Sequence, residues 1–115
     1  MAAETLIFGL ARHHYAALAE IFSHYPEIDQ VLIYGSRAKG KARPGSDFDL
    51  GVMAAKLSDA RFSALWNEID ALPLVFKFDV LHVDRLPDGA LRKNILADGL
   101  RFFPNPALAA DERST

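Results

Sequence analysis

No cysteine occurs among the 115 residues, which excludes a disulfide framework and a thiolate metal centre and fits a reducing compartment. An excess of either charge is missing too: 13 Lys and Arg stand against 15 Asp and Glu, a formal net charge of -2. That balance excludes the general nucleic-acid coat of a basic DNA-binding domain, so no direct DNA binding is expected. No apolar run approaches the roughly 20 residues of a membrane span, and the N-terminus lacks a cationic region followed by an apolar segment. A cytoplasmic protein is expected. Internal repeats and linkers are also lacking.

What is present is a chain that is 50% hydrophobic, long enough for one domain with a core and too short for two. Residues 1–103 are expected to form it, with 104–115 a loose C-terminal tail after Pro-Asn-Pro. Leu6, Leu10, His14, Leu18, Ile21, Phe22 and Tyr25 recur at helical steps and predict a first helix ending before Pro26. Val31–Tyr34 and Leu50–Met53 read as buried strands. Ser58 caps a second helix with a core stripe of Phe62, Leu65, Trp66 and Ile69, stopped by Pro73. A strand over Leu74–Val83 follows, then a helix from Asp88 carrying Leu91 and Ile95, with Gly99 as its C-terminal cap. The fold class is α/β (α+β): a small mixed sheet of three or four strands with helices packed on it. A short connection makes the first two strands antiparallel, and the intervening helix makes the third parallel to the second.

The chemistry concentrates between residues 35 and 49. Gly35-Ser36 closes the first strand, where backbone N–H groups become available to phosphate oxygens. Ten residues later come Asp47 and Asp49, whose side chains project from one face of a strand and could share a pair of divalent cations. Arg37, Lys39, Lys41 and Arg43 would supply counter-charge to a triphosphate. A glycine-rich turn with solvated aspartates and a solvated basic loop is the competing reading of the same residues. Asp79 falls inside the third predicted strand, on the face of Lys77 and Leu81. It reads either as a third carboxylate beside the other two or as an edge acid paired with Lys77.

Gly35-Ser36, Ser46-Asp47-Phe48-Asp49-Leu50 and Phe78-Asp79-Val80 together resemble the DNA polymerase β-type nucleotidyltransferase superfamily, in particular its minimal nucleotidyltransferase branch. The resemblance runs from the first strand to the last helix. It implies that Gly35, Ser36, Arg37 and Ser46 bind the nucleotide. It also implies that Asp47, Asp49 and Asp79 are the catalytic carboxylates, holding two Mg²⁺ ions in the presence of ATP. Minimal members commonly act as antitoxins of helical HEPN toxins. The resemblance therefore implies transfer of AMP from ATP to a hydroxyl, expected to be a tyrosine's, of such a partner, in a type VII-like toxin–antitoxin system. The Arg-x₄₋₆-His spacing of HEPN toxins is absent, so this chain resembles the transferase member. Two alternatives are a non-catalytic antitoxin that inhibits by binding and the catalytic subunit of a split small-molecule (aminoglycoside-like) nucleotidyltransferase.

Other residues have blander explanations. His13 and His14 are neighbours on a helix and should point apart, His14 reads as a core-edge residue, His82 as a packing one, and Trp66 as part of a helical stripe. Nothing singles out Tyr25 or Tyr34.

Overall fold

Four strands, β1 (Gln30–Tyr34), β2 (Phe48–Met53), β3 (Phe78–His82) and β4 (Leu100–Phe103), form one mixed sheet in the order β3-β2-β1-β4 in the computed structural model, which describes residues 7–40 and 47–105. The elements run α1 (Arg12–Ser23), β1, β2, α2 (Asp59–Asp70), β3, a 3₁₀ turn (Val83–Arg85), α3 (Ala90–Asp98) and β4. β1 pairs antiparallel with β2, and β3 pairs parallel with β2 after the α2 crossover, as the connection lengths require.

The first helix starts later than its periodicity suggests. Ile7 and Leu10 exchange backbone hydrogen bonds of 2.8 and 2.9 Å around Phe8 and Gly9, both with positive φ, so this turn precedes the helix. Leu6 lies outside the described residues. The buried face of α1 is Tyr15, Leu18, Ile21 and Phe22, with His14 only half-buried. These side chains pack with Val31, Ile33, Phe48, Leu50, Val52, Val80 and Phe102 into the main core. α2 adds Leu65 and Ile69 to that core, and Ser58 caps it by accepting Arg61 N–H at 3.1 Å. Trp66 departs from the expected stripe: it is 42% exposed, because the helix presents only a narrow buried edge.

The opposite face of the sheet is covered by less material. Leu32, Val83 and Ile95 form a second, smaller cluster there, with Tyr34, Met53, Leu81 and Leu86 packed against it. Ile95 is the buried residue of α3, and Leu91, expected inside, is half exposed. Gly51 on β2 admits this layer, since a Cβ there would lie 2.8 Å from Val83 Cγ2 and 3.3 Å from Ile95 Cγ2.

β3 is shorter than the predicted Leu74–Val83. The ladder begins at Phe48↔Phe78, so residues 74–77 precede its first rung, and Val75 is 95% exposed. β4 has no counterpart among the predicted elements. It pairs antiparallel with β1 at the other edge and inserts the fully buried Phe102. α3 begins at Ala90 and not Asp88, and Gly99 caps its C-terminus with its N–H on Ile95 O. His82 packs as expected: its Nε2–H donates to Ala54 O at 2.7 Å and its ring stacks on Phe62. No described helix is long and apolar enough to cross a membrane.

Candidate active site

β1 delivers its last residue, Tyr34, into a run of turns over residues 35–40. Gly35 takes a φ of 74°, a left-handed conformation that a side chain would resist. Space excludes one as well, because a Cβ at this position would come within 2.7 Å of Asp49 Oδ2. The turn closes through Lys39 N–H to Gly35 O at 3.2 Å and Gly40 N–H to Arg37 O at 3.4 Å, leaving Ser36 exposed. Backbone and carboxylate thus meet directly at the end of β1.

Strand register then lines up the chemistry. Tyr34 lies opposite Asp49, and Asp49 lies opposite Asp79, giving one row across three strands. Directly opposed residues share a face at roughly 5 Å spacing. Asp47 sits exposed two residues before Asp49, just ahead of β2. The electrostatics report the same convergence. Asp49 is pushed above its usual carboxylate range by burial first, then by the charges of Asp79 and Asp47. Tyr34 is pushed up to about 12, again by burial first and then by Asp49 and Asp79, so its phenol keeps its proton at neutral pH.

Concentrated, mutually repelling carboxylates are the hard oxygen donors that a divalent cation neutralises. Among the described residues no three His, Asp or Glu side chains form a ready-made ligand cluster. Magnesium needs no such cage, since it keeps several waters and takes further ligands from phosphate, so one or two carboxylates suffice. On that donor chemistry Asp49, with Asp47 or Asp79, fits a magnesium ion.

The two ends of the row open onto different hollows. At the Tyr34 end a cavity of about 310 Å³ is lined by Tyr34, Gly35, Lys39, Leu91, Asn94 and Asp98. At the other end Asp79 borders a groove of about 380 Å³ running past Phe76 and Trp66. A larger cavity of about 620 Å³, between α1 and Phe103, lacks the acid row, so charge and not volume marks the site.

Residues 16–106 match the sequence model for Polymerase beta, Nucleotidyltransferase. This chain belongs to that nucleotidyltransferase family. Solved structures share its fold. One is a toxin–antitoxin complex with AMP-PNP, at 18% identity and a TM-score of 0.61, covering 81% of this chain and 75% of the other. Another is a mutant of the toxin–antitoxin pair MntA–HpeT, at 15% identity and a TM-score of 0.58 with the same coverage. No match is found among curated proteins.

Within this nucleotidyltransferase the side chains expected at the nucleotide fare differently. Ser46, with Lys41 and Arg43 of the basic run, lies outside the described residues. Arg37 is packed: its guanidinium lies 4.0 Å over the Phe48 ring and Nη1 donates to Phe8 O at 3.5 Å. Phe48 and Asp49 alternate along β2, so this guanidinium sits on the sheet face away from Asp49. Burial in that setting lowers its pKa. His13 and His14, expected to diverge, instead have ring centroids 4.0 Å apart. Tyr34, Asn94 and Asp98 were not marked by the sequence. Tyr34 could have been found by counting back from Asp49 across the antiparallel pair, whereas nothing in the local sequence of α3 points to the site.

Proposed function

We propose that this nucleotidyltransferase transfers AMP from ATP to a hydroxyl, expected to be a tyrosine's, on a helical HEPN-type partner toxin, and so serves as the antitoxin of that pair. The observation that carries this reading is the row Tyr34–Asp49–Asp79, with Asp47 beside it and the Gly35 backbone against it. The two structural neighbours that are toxin–antitoxin complexes, one with AMP-PNP, support the partner and the nucleotide.

Transfer forms a bond from the acceptor oxygen to the α-phosphorus and breaks the bond from that phosphorus to the β-phosphate bridge, releasing pyrophosphate. The entering and departing oxygens lie in line. The Gly35–Lys39 turn is positioned to hold the leaving phosphates with backbone N–H groups and the Lys39 ammonium. The acceptor then enters from the opposite end of the row, at Asp79. There the exposed Asp79 carboxylate accepts the proton of the acceptor hydroxyl as that oxygen attacks. Magnesium, held by Asp49 with Asp47 and Asp79, would neutralise the triphosphate and the charge that develops on it. The half-buried Tyr34 ring closes the floor of the site.

The test is incubation with labelled ATP, Mg²⁺ and the candidate toxin. Label should move to the toxin, and Asp47→Asn combined with Asp49→Asn should abolish transfer while circular dichroism stays unchanged. A double mutant that labels as well as the parent overturns the site. Protection of cells by that double mutant, without ATP-dependent labelling, would replace catalysis with inhibition by binding.

A further inference from the structure

The 310 Å³ cavity at the Tyr34 end has a polarity of its own. Its strand-side wall is formed by Tyr34, Gly35 and the basic residue Lys39, while its helix-side wall carries Leu91, Asn94 and Asp98 of α3. Burial of Ile95 against Leu32 and Val83 fixes the rotation of α3. Residues 91, 94 and 98 follow one another at helical spacing, so they present a single stripe to the cavity. Asp98 is the last residue of the helix, where unsatisfied carbonyls add partial negative charge to its carboxylate. One end of the cavity therefore suits anions and the other repels them.

A nucleoside triphosphate is polarised in the same sense, with an anionic tail and a base bearing hydrogen-bond donors. Resting on the nucleotidyl-transfer reading above, we infer that α3 reads the nucleobase: Asp98 accepts from an exocyclic amino group and Asn94 pairs with the neighbouring ring edge. An Asn amide offers one donor and one acceptor, the complement of the adenine edge with its amino group and ring nitrogen. Leu91, half exposed, and the Tyr34 ring supply apolar contact to the flat faces of the base. The volume matches the lower end of ordinary small-ligand pockets. Placing the phosphates at this wall would set them against Asp98, whereas at Lys39 they meet a cation next to the acid row.

Inosine triphosphate separates base reading from phosphate binding, because it carries a carbonyl oxygen where adenine has the amino group. Calorimetric titration of the protein in Mg²⁺ should show ATP binding about tenfold more tightly than ITP, the value of one hydrogen bond to a charged group. Asn94→Ala and Asp98→Ala should erase most of that ratio by weakening ATP alone. Lys39→Ala should weaken both nucleotides equally and leave the ratio intact. All three residues line a surface cavity, and unchanged thermal midpoints would confirm folding. Equal binding of ATP and ITP by the parent, or a ratio that survives both α3 substitutions, overturns the inference while leaving nucleotidyl transfer standing. Failure of the parent to bind either nucleotide overturns both.

Discussion

Gly35 is the residue on which the site's geometry turns most directly. Its φ of 74° and the 2.7 Å that would separate a Cβ from Asp49 Oδ2 are two independent reasons for glycine. Gly35→Ala is therefore expected to cost about 1–2 kcal/mol from the left-handed backbone alone. It should also displace the Asp49 carboxylate, so that transfer falls further than stability does. Urea denaturation alongside labelled-ATP transfer checks this, and a variant with full activity would show that Asp49 relaxes freely. Gly35 and the aspartate pair were both legible from spacing. Arg37 was legible as a cation near the turn, but its placement over Phe48 depends on an aromatic surface that Phe48 and Phe76 build only after folding.

At the scale of elements, the caps and ties of α2 are open to measurement. Ser58 accepts a backbone N–H at the N-terminus of this helix, and Ser58→Ala should cost about 1 kcal/mol. Arg61 on the same helix holds Glu27 through two hydrogen bonds of 2.8 Å. The hydrogen bond from Arg61 is the main cause that lowers the Glu27 carboxyl from 4.5 to about 2. Because the folded value lies below the unfolded one, the contribution is fully present above about pH 4.5 and is lost as pH falls towards 2. Glu27→Gln should thus lower the thermal midpoint at neutral pH, with the difference from the parent closing across that window. The pair is on the surface, so salt should shrink the effect. The same helix shows how a clean periodicity can overreach. Leu65 is fully buried and Trp66 is not, so Leu65→Ala should cost about 2–5 kcal/mol and Trp66→Ala considerably less.

For the whole molecule, the strand order decides what stabilises the sheet. β4 is an edge strand of four residues, yet Phe102 is completely buried and packs with Tyr15 at 5.0 Å between ring centroids. Phe102→Ala is expected to cost about 3–5 kcal/mol, a large share of the stability of a domain this small. Chemical denaturation should show it as a lower midpoint with an unchanged slope. A cost below about 1 kcal/mol would mean that β4 is dispensable to the core. That strand escaped the sequence because its residues follow α3 after a single glycine and offer too short a run to alternate. β3, by contrast, was expected to be longer, since apolar residues 74–77 look like a strand until the ladder is seen to begin at Phe48↔Phe78.

Local spacing by itself determined the helices, the first two strands, the glycine turn and the two-residue step from Asp47 to Asp49, because those features depend on residues within a turn or two of each other. It also set the pairing directions, since loop length leaves few ways to connect neighbouring strands. Tertiary structure alone decided that Asp79, thirty residues beyond Asp49, stands opposite it. The same long-range packing set Arg37 on the far face and turned the Leu91–Asn94–Asp98 stripe of α3 towards the Gly35 turn. Those placements follow from register and from how Ile95 and Phe48 are buried, and burial is a property of the assembled layers that no stretch of chain carries alone.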